Sequence, residues 1–176
     1  MNILAISGST RAASTNTAML KSIKDLAPCH IGITVFNDLH TLPVFSPDQE
    51  GNRTPSPVIQ LLEEVSCHDG IIISSPEYVR ALPGGLKNAI DWMVSRFEII
   101  SKPIALVHAS HRGDDMLHSL RLVLSTVSDH FESDLFLRFP LMGMSPKEIG
   151  TFLREPENES LITTFLLKFE TTFHRN

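Results

Sequence analysis

The sequence predicts a three-layer α/β domain in which a doubly wound, five-stranded parallel sheet carries helices on both faces. Along the 176 residues, apolar segments of strand length alternate with amphipathic segments of helix length. Right-handed crossovers then place the helices on both sides of one sheet. The run Asp69-Gly-Ile-Ile-Ile-Ser74 is bounded by turn residues and apolar between them, which is typical of a central parallel strand. A chain of this length needs only one core, so we expect a single domain over residues 1–176.

The chain opens with a predicted strand, helix and strand. Residues 2–6 are mainly apolar and end at a Ser-Gly-Ser turn, which indicates a buried strand that enters a loop. Residues 17–26 place apolar side chains on one helical face, and Pro28 follows directly. Residues 31–36 are rich in Ile, Thr and Val, which favours a second strand.

A long loop separates the second strand from the second helix. Residues 37–57 are rich in proline and polar residues, and loops of this length are more often functional than idle. The helix that follows, 57–65, has Pro57 at its predicted first position, and Ser56 is the expected N-cap.

After the central strand, the remaining elements continue the alternation. Residues 84–97 and 114–127 have helical apolar patterns, and the apolar run 103–107 between them predicts the fourth strand. Residues 134–137 predict a short edge strand, and aromatic residues four apart over 161–173 predict a closing amphipathic helix. Because the carboxyl ends of the strands meet at one edge of such a sheet, the ligand site is expected in the loops that follow them.

The composition is that of a soluble globular protein, with 42% hydrophobic residues, 20% charged residues and a net charge of −5. This charge argues against a nucleic-acid-binding protein. No run is long enough for a membrane span and the opening strand is too short for a signal peptide, so we expect a cytoplasmic protein that does not bind membranes. Cys29 and Cys67 are expected as free thiols. Each is followed by histidine, but the spacing matches no zinc motif, so we expect no metal site.

The first loop, Gly8-Ser-Thr-Arg-Ala-Ala-Ser-Thr-Asn16, resembles a phosphate cradle. Gly8 allows the backbone to approach a ligand closely, hydroxyl residues add hydrogen-bond donors at a helix start, and Arg11 adds positive charge. The loop contains neither a Walker sequence nor the glycine pattern of dinucleotide-binding folds. By itself it is equally compatible with an ordinary capped turn.

The second loop, 75–83, lies within Ser74-Ser-Pro-Glu-Tyr-Val-Arg-Ala-Leu-Pro-Gly-Gly-Leu-Lys-Asn-Ala-Ile-Asp-Trp92, which runs directly into the third helix. Here the sequence resembles the NADPH-dependent FMN reductase family, whose members carry Pro-Glu-Tyr, then Pro-Gly, then Leu-Lys-Asn-Ala-Ile-Asp-Trp. The first loop also fits that family's Gly-Ser-x-Arg-x-x-Ser-x-Asn pattern. The resemblance in element order extends from Met1 to about Val127.

This resemblance implies a flavodoxin-like fold with strand order 2-1-3-4-5, bound FMN, and NADPH or NADH as co-substrate. The backbone amides near Glu77 and Tyr78 are expected at the polar edge of the flavin, and Tyr78 against its ring, unless Tyr78 packs on its own protein. Gly84 and Gly85 are expected to make room where ring and backbone approach. The expected cofactor-binding residues are Gly8, Ser9, Arg11, Ser14, Thr15, Asn16, Pro76, Glu77, Tyr78, Val79, Arg80, Pro83, Gly84, Ser110, Arg112 and Gly113.

Three features depart from the family pattern. Val79 stands where asparagine is usual, Arg80 replaces a small or neutral residue, and the third loop, 109–115, lacks the usual glycine-rich pattern. Ser110, Arg112 and Gly113 are therefore the remaining candidates for a third flavin contact, with a solvated turn as the alternative. Arg80 and Arg112 could also recognise the 2′-phosphate of NADPH, or could be ordinary solvated loop residues.

The third helix carries an expected surface pair, Lys87 and Asp91, four residues apart. Trp92, Met93 and Phe97 on the same helix are either core residues or anchors of a subunit interface, because dimers of the family use this helix. We expect a homodimer or homotetramer.

The expected activity is hydride transfer from NAD(P)H to FMN, followed by reduction of a small-molecule acceptor such as a quinone, an azo compound, a metal oxyanion or free flavin. No side chain is expected as nucleophile or base. The alternative is a binding, electron-carrier or regulatory protein that keeps the fold without reductase activity.

Overall fold

The strands and helices of a computed structural model follow the predicted alternation over the described residues, 1–95 and 98–173. The strands are β1 (Asn2–Ser7), β2 (Gly32–Phe36), β3 (Gly70–Ser74), β4 (Ile104–His108) and β5 (Phe131–Arg138). The helices are α1 (Thr15–Leu26), α2 (Ser56–Cys67), α3 (Gly84–Val94), α4 (Asp114–Val127), α5 (Pro146–Leu153) and α6 (Pro156–Thr172). Within the same residues, none of the helices has the length and hydropathy needed to cross a bilayer.

The five strands form one parallel sheet in the order β2-β1-β3-β4-β5, which confirms the predicted fold. The chain adds β2 on one side of β1 and β3 on the other, so the strand order reverses there. Ser7 at the end of β1 pairs with Ser74 at the end of β3. The loops after these two strands therefore leave the sheet side by side, at the switch point where ligands bind in open α/β sheets.

Successive side chains of the central strands point to opposite faces of the sheet and build two cores. Leu4 and Ile6 pack on one face with apolar residues of α2, α3 and α4. Ile3 and Ala5 pack on the other face with residues of α1, α5 and α6. Helices thus cover both faces, as the alternation predicts.

Several element boundaries differ from the prediction. Helix α1 begins earlier, at Thr15, because the Ser14 side chain accepts a hydrogen bond from the Thr17 amide and caps it. The expectation that Ser56 caps α2 is wrong: Ser56 is already helical, and the N-cap position belongs to Pro55, which offers no side-chain acceptor. Helix α3 ends at Val94. The final part of the predicted helix, including Phe97, lies outside the described residues.

The C-terminal third contains more structure than predicted. Strand β5 has eight residues, whereas the sequence predicts a short strand over residues 134–137 only. Helix α5 is an addition, and a capping box forms at its start: the Ser145 side chain accepts from the Glu148 amide while the Glu148 carboxylate accepts from the Ser145 amide. Ile149 and Leu153 on this helix are buried against the α1 face of the sheet.

Candidate functional site

The first loop lies tightly against the end of β3. The Gly8 amide donates to the Ser74 carbonyl at 2.7 Å. A Cβ atom at position 8 would lie 2.9 Å from Ser75 Oγ and 3.0 Å from a methyl carbon of Leu86. Glycine is therefore required here because the side chains of Ser75 and Leu86 fill the space of a Cβ atom, and the predicted approach to a ligand stays a prediction.

Buried polar contacts fix the start of α1 at this edge. Ser7 Oγ and Thr17 Oγ1 are 2.8 Å apart, and Ser74 Oγ donates to Asn16 Oδ1 at 2.8 Å. Because Ser14 satisfies only the Thr17 amide, the Thr15 and Asn16 amides have no acceptor within the helix. These amides, the helix dipole and the exposed Arg11 side chain together suit an anion such as a phosphate.

A cavity of about 270 Å³ connects the start of α1 to the second and third loops. Predicted residues that line it are Thr15, Asn16, Pro76, Glu77, Ser110, Arg112 and Gly113. Lining residues that the sequence reasoning missed are Ser75, His108, Ala109 and Met142. Ser75 and His108 directly flank predicted strand ends, which was an available signal, whereas Met142 lies in a segment with no motif.

The second loop contains a turn in which Tyr78 and Ala81 exchange two backbone hydrogen bonds of 3.0 Å. The central residues Val79 and Arg80 have φ values of 51° and 60°, which define a left-handed turn of type I′. Asparagine tolerates this conformation, which gives a physical reason for the family's preference at position 79. A β-branched valine there is strained. The Tyr78 amide donates within this turn, and a contact between the amides near Glu77 and Tyr78 and the flavin edge stays a prediction.

The predicted residues that do not line the cavity are Gly8, Ser9, Arg11, Ser14, Tyr78, Val79, Arg80, Pro83 and Gly84. Tyr78 is 43% exposed and Val79 is 99% exposed, so both lie at the surface beside the cavity. A Cβ at Gly84 would meet nothing within 4 Å, and one at Gly85 would contact Thr10 at 3.3 Å. Gly85 therefore makes room for the first loop, whereas no protein atom requires glycine at position 84, and its role beside a flavin ring stays a prediction.

The second loop is joined to the start of α4. Glu77 Oε2 accepts a hydrogen bond of 3.1 Å from the Met116 amide, in the first turn of that helix. The Arg80 guanidinium pairs with Asp115 on the same turn. Glu77 thus acts as a helix cap supplied by a distant loop, and Arg80 is already engaged by a carboxylate.

Arg138, at the end of β5, holds the third loop. Its guanidinium donates to the Ser110 carbonyl at 2.7 Å, the Arg112 carbonyl at 3.0 Å and Asp114 Oδ1 at 2.8 Å. Met142 also contacts the loop, because its sulfur accepts from Ser110 Oγ. Ordered contacts of this kind favour a shaped cavity wall over the alternative of a solvated turn.

His108 lies beneath the same loop, 2% exposed. Its Nε2 atom is 2.5 Å from the Arg112 carbonyl oxygen. Burial lowers the pKa of His108, although the Arg112 carbonyl acts to raise it, and the Arg138 cation lowers it further. His108 is therefore a neutral imidazole at pH 7.

The motif residues of α3 hold the long loop before α2. Asn88 Nδ2 and Trp92 Nε1 each donate to the Pro43 carbonyl at 2.9 Å, and Asn88 Oδ1 accepts from the Phe45 amide. Trp92 is fully buried and meets the Phe45 ring edge to face. Met93 is fully buried as well, so these two residues belong to the core and are not interface anchors. The predicted Lys87–Asp91 surface pair is confirmed.

Cys67 and His68 come together with Glu64 at the end of α2, where their ligand atoms lie within 4.8 Å of one another. His68 Nδ1 is 2.7 Å from the Glu64 carbonyl. A carbonyl only accepts, so this nitrogen carries a proton and is not available to a metal. Cys29 lies outside this cluster, and both cysteines are exposed free thiols.

A doubly wound sheet with an anion-binding helix start and a cavity at its switch point defines a flavodoxin-like nucleotide-binding domain. The chain belongs to the NADPH-dependent FMN reductase family, whose sequence model matches residues 1–131. This membership confirms the predicted class, an oxidoreductase family that uses FMN with NAD(P)H.

Individual relatives agree with this assignment. A quinone reductase of Escherichia coli K12 is 32% identical over 117 residues, which cover 64% of this chain and 61% of the relative. A quinone reductase of Pseudomonas putida is 30% identical over 85% of this chain and 77% of its own length. Among solved structures, the flavoenzyme NAD(P)H:(acceptor) oxidoreductase FerB of Paracoccus denitrificans has a TM-score of 0.72 at 20% identity, and the alignment covers 97% of this chain and 98% of FerB. That structure supports the fold.

Proposed function

We propose that this protein is an NAD(P)H-dependent FMN reductase that passes the electrons on to a small-molecule acceptor. The observation that carries the proposal is the cavity of about 270 Å³ that runs from an anion-binding helix start to the second and third loops. A mononucleotide such as FMN has its phosphate at one end and a flat ring at the other, and the arrangement of donors and walls matches that shape.

FMN, when bound, supplies the hydride-transfer chemistry. The protein binds and orients it. The Thr15 and Asn16 amides and the Arg11 side chain would bind the phosphate, while Pro76, Glu77 and the third loop would line the space for the ring. No protein side chain is needed as a nucleophile or base.

We propose a quinone as the acceptor. Two relatives are named quinone reductases, and Met142, which is 52% exposed, gives the cavity an apolar margin where a flat apolar molecule can bind. The overall reaction consumes NAD(P)H, a proton and the quinone, and releases NAD(P)⁺ and the hydroquinone. Azo compounds, metal oxyanions and free flavin are competing acceptors to be assayed beside it.

Arg112 is the proposed contact for the NADPH 2′-phosphate, because it is exposed and lines the cavity. Arg80 is the weaker candidate, since Asp115 already neutralises it. Replacing Arg112 by Ala should raise KM for NADPH much more than KM for NADH, with FMN still bound. Equal changes for both nucleotides would remove this role from Arg112.

The test of the proposed function is a titration followed by turnover. FMN fluorescence should fall on addition of the protein, the bound flavin should bleach under anaerobic NADPH, and benzoquinone should restore its colour. Binding of FMN without bleaching by NADPH or NADH would favour the electron-carrier alternative. A protein that leaves FMN fluorescence unchanged would reject the proposal.

We also propose that the protein assembles as a homodimer or homotetramer. An apolar groove between α3 and α4 is lined by Ile90, Val94, Leu122 and Val123, and Leu122 is 65% exposed. A second copy of the chain is the proposed occupant, with Lys87 and Asp91 at the polar edge of the contact. Light scattering should give at least twice the 19.6 kDa chain mass, and Leu122→Asp should reduce it to the monomer. A monomeric wild-type mass would contradict the proposal.

A further inference from the structure

The His108 side chain packs directly against the third loop. The His108 Nε2 atom contacts the Arg112 carbonyl oxygen, and because a carbonyl only accepts, Nε2 must carry the proton. In the neutral ring, Nδ1 is then an acceptor. Nδ1 is buried and has no hydrogen-bond partner of good geometry, although the Ser75 backbone lies close enough to favour the protonated ring.

Gly113 shows how closely the loop follows this ring. A Cβ atom at position 113 would lie 2.8 Å from His108 Nε2 and 3.0 Å from Cε1, and the residue has a φ of 102°. The imidazole thus occupies the space of a side chain at 113. The neighbouring Arg112 carbonyl receives a second donor from Arg138, so β4 and β5 both hold the same carbonyl.

We propose that His108 is a positioning residue that fixes residues 110–113 as the wall of the FMN cavity, in place of the glycine-rich loop of the family. The inference rests on the proposed function, because FMN is the ligand whose binding it explains. His108 lines the cavity, and its buried acceptor without a good partner costs free energy. A residue kept at that cost fits a role in ligand binding.

The charged groups around the His108 ring predict how its protonation changes FMN binding. The charged groups around it are Arg138 on β5, Asp114 at the start of α4, Glu77 from the second loop and Arg112 in the third loop. Protonation adds a buried cation near Arg138, and the opposing effect of Asp114 on the His108 pKa is smaller than that of Arg138. FMN affinity should therefore fall as the pH is lowered through the titration of His108.

Three variants test the proposal by FMN fluorescence titration between pH 8 and pH 5.5. His108→Leu removes the donor and should weaken FMN binding about tenfold at pH 8, since it leaves a buried carbonyl with one donor fewer. His108→Gln keeps an amide donor without titrating and should bind within about threefold of the wild type. His118→Gln, at an exposed position on α4, is the matched control and should behave as the wild type.

The ratio of the His108→Gln and wild-type dissociation constants removes the ionisation of the FMN phosphate itself, which titrates near pH 6. This ratio should shift in favour of His108→Gln as the pH falls. A ratio that stays constant, or a folded His108→Leu that binds FMN as tightly as the wild type, would overturn the inference. If His108→Leu does not fold, the pH profile of His108→Gln decides. Failure of the wild type to bind FMN would instead reject the proposed function.

Discussion

The first and third loops both contribute residues to one cavity, yet they are held in different ways. Residues Gly8–Asn16 take their shape from neighbours in sequence and from the adjoining strand β3: Ser14 caps α1, and Gly8 bonds to Ser74. The third loop is held by His108 below it and by Arg138. Arg138 is distant in sequence and becomes a neighbour only because β4 and β5 pair in parallel. The proposed phosphate loop thus combines a local helix cap with contacts to β3, whereas the proposed wall for the ring depends on side chains of β4 and β5.

The largest effect is expected from a substitution that disrupts the first loop. Gly8→Val should lower the free energy of unfolding by about 3 kcal/mol, because its side chain would overlap Ser75 and Leu86. Urea denaturation measures this change. Gly84→Ala is the control, since its Cβ enters open space, and it should be neutral or stabilise by up to about 1 kcal/mol. Equal losses for both variants would mean that the close approach at Gly8 is not what fixes this loop.

The next effect concerns ligand binding at the same loop. Arg11→Ala should weaken FMN binding by about 2 kcal/mol through loss of a charged hydrogen bond, and should leave stability nearly unchanged because the side chain is exposed. Arg53→Ala, in the exposed part of the long loop, controls for net charge. Unchanged affinity in the fluorescence titration would move the phosphate away from this loop.

A smaller effect is expected at the second loop, in the opposite direction. Val79→Asn should raise the free energy of unfolding by about 1 kcal/mol, because asparagine relieves the left-handed strain. Val44→Asn is the matched control, since Val44 is also exposed but lies at an ordinary backbone angle. If both substitutions have the same effect, the gain comes from removing an exposed apolar side chain and not from the turn.

The smallest effect is the pH dependence of stability that His108 contributes. The folded state lowers its pKa, so the unfolded chain binds more protons between the folded value and about 6.5. The stability contributed by the neutral ring is present above pH 6.5 and is lost as the pH falls toward the folded pKa. Unfolding free energies at pH 7.5 and 5.5 should show a smaller loss for His108→Gln than for the wild type. An equal loss would show that other groups determine the acid response.

The sequence predicts the central elements well because their patterns are unambiguous. β3 and β4 are buried throughout and β1 is buried from Ile3 onward, and the apolar runs of β1 and β3 end in turn residues. The sequence predicts only part of the length of strand β5, because this strand is half exposed and mixes polar with apolar residues. Helix α5 has a recognisable signal in Ser145 and Glu148, but it is short and its apolar face has few residues.

The site was predictable to the extent that its contacts are local. The cavity residues Thr15, Asn16, Pro76 and Glu77 follow from motif and position. The helix-capping role of Glu77 and the inward position of His108 could not be predicted, because the partners are set by strand register and helix docking. Tyr78, the most conspicuous aromatic residue of the motif, lies beside the cavity because the strained turn carries it outward.

The hydrogen bonds to Pro43 divide the long loop into two parts with different uses. Asn88 and Trp92 fasten the part around Pro43 to α3, while residues 47–53 are exposed throughout. Exposed backbone at a loop tip accepts insertions and proteolytic cuts with little loss of the fold. A peptide tag or a reporter domain inserted within 47–53 would therefore leave the sheet and the cavity intact, which makes this segment the natural attachment point for building the protein into a sensor.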